Sequence, residues 1–275
     1  MGYNGAAHNA MAPVTFPSRS TLLEACTAFA DEAAVEIMRI YAGDLGARTK
    51  ADSSPVTDAD HAAETIILRG LRALTPGTPV VAEEEMASGH SPRLDGGPFW
   101  LVDPLDGTKE FIKRNGEFTV NIALVEQGRP TVGVVLAPAT ATLWRGAAGL
   151  GAQKREGDGG FHPIRTRRAP AEGLTACASR SHSVYSDLDI WFRNNDLTVV
   201  DRVQAGSSLK FCLIAEGKAD IYPRFGPTSE WDTAAGQAVL EAAGGEVVKT
   251  DGQPLTYGHP PFRNPHFIAR TQDAR

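Results

Sequence analysis

The chain has no excess of positive charge. Its 27 lysines and arginines face 33 aspartates and glutamates, giving a net charge of -6. General binding of DNA or RNA needs a basic surface, so that role is excluded, while a local basic pocket for a small phosphorylated ligand is not. Cysteine is also scarce: Cys26, Cys177 and Cys212 are odd in number, widely spaced and without a C-x-x-C pair. That excludes a disulfide framework and a zinc cluster, and it suits buried thiols in a reducing compartment. There is no apolar run of transmembrane length and no basic-then-apolar leader. The expectation is a cytoplasmic enzyme, with peripheral docking on the inner membrane left open. Signatures of several enzyme classes are missing too: G-x-x-x-x-G-K-[ST], H-E-x-x-H and G-x-S-x-G do not occur.

What remains is ordinary globular composition, 42% hydrophobic and 22% charged, enough for a sizeable core. Residues 1–18 are rich in Gly, Ala and Asn without periodicity and are expected to be a disordered lead. Apolar positions from Leu22 to Tyr41 mark a long helix stopped by Gly43. Residues 53–71 begin extended and turn helical, with Asp58 read as the N-cap and Asp60 in the first turn. A short strand over 79–82 runs into Glu83, Glu84 and Glu85, and residues 118–149 read as strands with turns at 127–128 and Pro138. Beyond residue 156, strands and helices alternate: strands at 174–178, 197–200 and 219–222, helices at 184–192, 207–216 and 232–243. The division is an α+β half over 19–155 and an α/β half over 156–275.

Acidic residues gather where these elements begin or end: Asp58/Asp60, 83–85, Asp103/Asp106 and Asp232. In 99-FWLVDPLDGTKEF-111 a buried strand is delivered straight into two aspartates and a glycine turn. Carboxylates gathered in a cleft repel one another, and burying them unpaired is costly. Oxygen ligands without His or Cys suit magnesium or manganese, and Asp103, Asp106 and the Leu105 carbonyl between them can converge on one ion pair. Gly107 and Thr108 open a helix whose free N–H groups attract phosphate. Each cluster alone reads as a solvated acidic turn; together they point to metal-assisted phosphoryl chemistry.

At this point the chain resembles a known family. WLVDPLDGTKEF is similar to the D-P-h-D-G-T motif of the inositol monophosphatase superfamily, and WDTAAGQAVLEAAGG to its W-D-x-A-A-G…A-G-G motif. The likeness spans residues 20–270 and includes 56-VTDAD-60 and the Glu-Glu after a strand. Within the superfamily, Lys109-Glu110-Phe111 after D-G-T, 179-SRSH-182 and 206-GSSLKFCLIAEGKADIYPRFGPT-228 look like the bisphosphate nucleotidases, where inositol-directed members carry Thr-Asn-Phe.

The resemblance implies a layered αβαβα sandwich with metal ligands Glu84, Asp103, the Leu105 carbonyl, Asp106 and Asp232. It implies that Asp60 and Thr108, beside Glu84, activate the attacking water. Substrate contacts are implied for Gly107, Thr108, His182, Ser207, Lys210, Arg224 and Asp232, with Lys210 and Arg224 holding the phosphate that is not cleaved. The triple Glu leaves the roles of Glu83 and Glu85 open, and Lys50 is either a shield near the metals or solvated. Two or three Mg²⁺ ions are implied, with Mn²⁺ as substitute and Li⁺ as inhibitor. The expected substrate is adenosine 3',5'-bisphosphate, hydrolysed to AMP and phosphate, with 3'-phosphoadenylyl sulfate beside it, in sulfate assimilation. The alternatives are an inositol monophosphatase or another sugar-phosphate phosphatase, and a non-catalytic phosphonucleotide-binding protein.

Overall fold

The computed structural model describes residues 16–50, 53–179 and 185–274; the start of the expected lead, residues 1–15, lies outside them. Ser18 opens α1 (Arg19–Tyr41) by accepting the Thr21 N–H on its hydroxyl, and Leu22, Cys26, Ala30, Ala33 and Ile37 bury one stripe of that helix. A two-stranded hairpin, β1 (Arg48–Thr49) and β2 (Pro55–Val56), leads into α2 (Asp58–Leu74). Here the cap differs from expectation. Thr57 is the N-cap and Asp60 answers it as a capping box, while Asp58 points outward to Arg48 at 2.7 Å. Thr57 carries a hydroxyl in the right place, so the box forms one residue earlier.

Next come β3 (Val80–Ala82), α3 (Glu83–Ala87), β4 (Phe99–Asp106) and α4 (Thr108–Ile112). A meander follows: β5 (Thr119–Glu126), β6 (Arg129–Ala137), β7 (Thr142–Ala147), β8 (Gly151–Glu156) and β9 (His162–Ile164). These seven strands, β3 to β9, form one sheet in sequence order, parallel only between β3 and β4. The sheet runs past residue 156 to Ile164, so the change to the second half falls within 165–173. The second half is β10 (Leu174–Ser179), α5 (Tyr185–Asn194), β11 (Val199–Ala205), α6 (Leu209–Ala215), β12 (Ile221–Arg224), α7 (Ala234–Ala242), β13 (Gly245–Lys249) and β14 (Phe267–Thr271). Its five strands lie in the order β11-β10-β12-β14-β13.

Three apolar cores separate the layers. The first joins α1 and α2 to one face of the seven-stranded sheet, through residues such as Ile37, Ile67, Trp100 and Ile122. The second fills the space between that sheet, α6 and α7, and the five-stranded sheet. The third packs α5 on the far face, through Phe192, Leu174 and Ile268. The αβαβα sandwich expected above is therefore the fold. Because both faces of the large sheet are covered, β4, β5 and β6 are apolar almost throughout rather than alternating. Gly133 sets the spacing of the middle layer, since a Cβ there would meet the Ala235 carbonyl at 2.5 Å. No described helix is long and apolar enough to cross a membrane.

Candidate active site

The site grows from the end of β4. Asp103 pairs with Asn121 and Asp106 with Thr119, so three steps on β4 oppose two on β5. That extra residue is a bulge at Pro104-Leu105. Strict alternation would send Asp103 and Asp106 to opposite faces; the bulge returns both to one face. The Leu105 N–H closes on Asp103 Oδ1 at 3.0 Å. Gly107 follows at φ 93°, and a Cβ on it would meet the Glu117 carbonyl at 3.0 Å, so only glycine fits this corner. The turn at Glu230–Asp232, against β4 and β5, then brings Asp232 in from the second half.

Two adjoining cavities share Asp106, Gly107, Lys109, Glu110 and Asp232 as a common wall. The larger, about 510 Å³, is lined by Lys50, Glu83, Asp103, the Leu105 segment, Thr108, Trp231 and Arg263 among others. The smaller, about 130 Å³, is lined by Ser207, Lys210, Tyr222 and Arg224. Asp103, Asp106 and Asp232 all have raised pKa values, first because they are buried and then because they and Glu83 repel one another.

The three consecutive glutamates point three ways from the first turn of α3. Glu83 lines the large cavity and is felt by all three aspartates. Glu84 is turned inward, almost wholly buried, and its carboxyl is pushed up to about 7, mainly by burial. Lys50 Nζ bridges them, 2.8 Å from Glu83 and 2.6 Å from Glu84. Burial lowers the Lys50 pKa, but the two carboxylates outweigh it and the value rises. Glu85 faces away to Arg72. The expectation that Glu84 faces the aspartates thus gives way to Glu83: helix phase decides among adjacent residues, and the repeat E-E-E carries no phase of its own.

Thr108 Oγ1 donates to Asp60 Oδ1 at 3.2 Å, while Asp60 Oδ2 accepts the Thr57 N–H and hydroxyl at 2.7 Å each. Asp60 is fully buried, which raises its pKa. The backbone N–H groups of Glu84 and Glu85 end on the buried Glu64 carboxylate at 2.8 and 3.0 Å. Sequence reading missed Glu64, whose only clue is a carboxylate on the buried side of α2. It also missed Arg263, which donates to Ser229 Oγ at the rim of the large cavity.

In the smaller cavity Lys210 is buried, its Nζ 3.1 Å from the Ala205 carbonyl and 2.5 Å from that of Ser207. Burial pushes its pKa down to about 8, with Asp106 opposing the shift. Arg224 donates to the Pro227 carbonyl at 3.1 Å, and its buried Nε has no hydrogen-bond partner. Ser207 Oγ donates to Asp106 Oδ2 at 2.7 Å. His182 lies outside the described residues.

The donor set suits a hard divalent cation: carboxylates on a common cleft, raised in pKa by one another, with Lys50 already committed to Glu83 and Glu84. Among the described residues, no group of three or more Asp, Glu, His or Cys side chains is drawn close enough together to hold a metal ion as it stands, so the carboxylates would have to close in around one.

The family model "Inositol monophosphatase family" matches residues 18–271. The chain is 46% identical over 249 residues to the 3'(2'),5'-bisphosphate nucleotidase CysQ of Escherichia coli strain K12, covering 90% of this chain and 98% of that one. It is also similar to the crystal structure of CysQ from Bacteroides thetaiotaomicron, with a TM-score of 0.76, 39% identity and coverage of 92% and 97%. The inositol monophosphatase from Anabaena sp. PCC 7120 overlays with a TM-score of 0.72 at 27% identity, covering 92% of each chain. The chain belongs to the inositol monophosphatase family.

Proposed function

We propose that the protein is a Mg²⁺-dependent phosphomonoesterase that hydrolyses the 3'-phosphate of adenosine 3',5'-bisphosphate to AMP and phosphate. The same site would accept 3'-phosphoadenylyl sulfate, a role in sulfate assimilation. The observation that carries this reading is the shared wall: a carboxylate cavity for metal and scissile phosphate abuts a cationic pocket of Lys210 and Arg224. An inositol monophosphate has no second phosphate to occupy that pocket, whereas a nucleoside bisphosphate does. The similarity to proteins named bisphosphate nucleotidases supports the same choice.

Glu83, Asp103, Asp106, Asp232 and the Leu105 carbonyl would hold the metal ions. When bound, these supply charge neutralisation at the phosphate and a lowered pKa for an attacking water. Thr108 already gives its proton to Asp60, which leaves its oxygen free to accept one from that water. Asp60 is fixed by both Thr57 donors and so aims Thr108 rather than drifting into the cleft. Lys210 and Arg224 orient the nucleotide through the phosphate that stays, and Gly107 lets the chain turn close to the reacting group.

The test is phosphate release from adenosine 3',5'-bisphosphate and from inositol 1-phosphate, side by side, with and without Mg²⁺. The expected result is Mg²⁺-dependent release with strong preference for the nucleotide. Preference for inositol 1-phosphate would overturn the pocket assignment, and no release from either would leave a binding protein.

A further inference from the structure

Asp106 and Lys210 belong to different chemistry, yet one residue holds both. Ser207 Oγ donates to Asp106 Oδ2 at 2.7 Å, and the Ser207 carbonyl accepts Lys210 Nζ at 2.5 Å. Ser207 does this from the left-handed region, φ 53°, a conformation that a serine keeps only where its surroundings enforce it. The enforcing groups lie on β5 and just ahead of it. The Gly206 N–H donates to Glu117 Oε2 at 2.9 Å, and a Cβ at Gly206 would meet the Glu117 carbonyl at 2.9 Å. Ser208 Oγ donates to Asn121 Oδ1 at 2.7 Å and lies 2.8 Å from Thr119 Oγ1. Thr119 Oγ1 also makes a short hydrogen bond with Ser207 Oγ. Alternate residues of an extended chain share a face, so positions 117, 119 and 121 form one row beneath the 206–208 turn.

Counting protons orders this row. An ionised carboxylate only accepts, so the single Ser207 hydroxyl proton is committed to Asp106. The Thr119–Ser207 contact then uses the proton of Thr119, and the Ser208 proton is shared between Asn121 Oδ1 and Thr119 Oγ1, 2.7 and 2.8 Å away. We infer that Thr119, fully buried and lining neither of the two cavities, is the positioning residue that locks Ser207 and thereby couples Asp106 in the metal cleft to Lys210 in the nucleotide pocket. The inference rests on the functional reading above, because it assigns Asp106 to metal and Lys210 to substrate. Its own content is the coupling: one hydroxyl should govern metal requirement and nucleotide affinity together.

A double-mutant cycle of Thr119→Val and Ser207→Ala tests this, with Thr119→Ser as the rescue variant. Valine preserves the β-branched shape on a strand and replaces the hydroxyl with a methyl, and Tm reports the cost of placing that methyl among the serine oxygens. The readouts are the Mg²⁺ concentration for half-maximal activity, KM for adenosine 3',5'-bisphosphate, and Tm. Thr119→Val should raise both kinetic constants about tenfold together, the scale seen when support behind a metal ligand is removed. Thr119→Ser should restore both, and Thr119→Val should add almost nothing in the Ser207→Ala background. Additive effects, a change in Tm alone, or failure of the serine rescue would overturn the inference while leaving an active wild type and its site reading intact. A wild type without Mg²⁺-dependent nucleotide hydrolysis would overturn both.

Discussion

The two cavities share a wall but meet opposite electrostatic problems. In the larger one, burial and mutual repulsion raise the pKa values of Asp103, Asp106 and Asp232. In the smaller one, burial lowers that of Lys210. Desolvation disfavours whichever charge is buried, so each side is a poor resting place for its own charges and a good one for the missing partner. On the proposed reading, a phosphate bridged by cations would answer the first cavity and a second phosphate the next. On the same reading, the adjacency of the two deficits, with Asp106 and Asp232 common to both, would favour a bisphosphate over a monophosphate.

The comparison breaks most visibly if a shared-wall carboxylate is neutralised. Asp232→Asn or Asp106→Asn should lower kcat by about 10²–10³-fold, the scale of losing one preorganised electrostatic group, while circular dichroism stays unchanged. Near-normal turnover would remove both residues from the metal site. The next effect separates neighbours. Glu83→Gln should raise the Mg²⁺ requirement by about 100-fold, and Glu84→Gln by about tenfold or less, because Glu84 faces Lys50 and Asp60 rather than Asp103, Asp106 and Asp232. The reverse order would restore Glu84 as the ligand. Lys210→Ala sharpens the comparison from the other side: KM for the nucleotide should rise by about 10- to 100-fold, the loss of a charged hydrogen bond, with little change for a small phosphate monoester.

How much of this could be read in the sequence follows from how local each feature is. Asp103, Leu105, Asp106, Gly107 and Thr108 are one contiguous segment whose meaning lies in its own bulge and turn, so the motif reports the geometry directly. Asp60 was legible through the resemblance of 56-VTDAD-60 to the family motif, although the cap was placed one residue late and its pairing with Thr57 was not foreseen. Glu83 was not distinguishable from Glu84, because a five-residue helix offers too little pattern to fix its phase. Lys50 was ambiguous until α3 supplied its carboxylates. Glu64, Thr119 and Glu117 act on residues 20 to 89 positions away, and no short-range pattern marks such partners. The order of elements gave an α+β half and an α/β half and the resemblance gave the αβαβα layering, but β13 and β14 were missed: β14 pairs with the central strand β12, and β13 pairs with β14 at the sheet's edge.

The smallest effect concerns protonation of Lys210, the buried lysine of the smaller cavity. Lys210 is charged below about 8 and neutral above it, because burial has brought it down from an ordinary value of 10.5. A neutral amine holds phosphate weakly, so kcat/KM for the nucleotide should fall by up to about tenfold per pH unit above 8, toward the level of Lys210→Ala. Bound phosphate favours the charged amine, so kcat at saturation should break at higher pH than kcat/KM. The contribution to folding has the opposite sense. Between 8 and 10.5 the unfolded chain keeps the Lys210 proton and the folded one has released it, so the unfolded state binds more protons and stability rises with pH across that window. Below 8 both states hold the proton and the term is flat. Lys210→Met should abolish both slopes, flattening the alkaline fall in kcat/KM and the alkaline gain in Tm. If the wild-type fall in kcat/KM persists in Lys210→Met, another group titrates and the smaller cavity does not depend on the charge of Lys210.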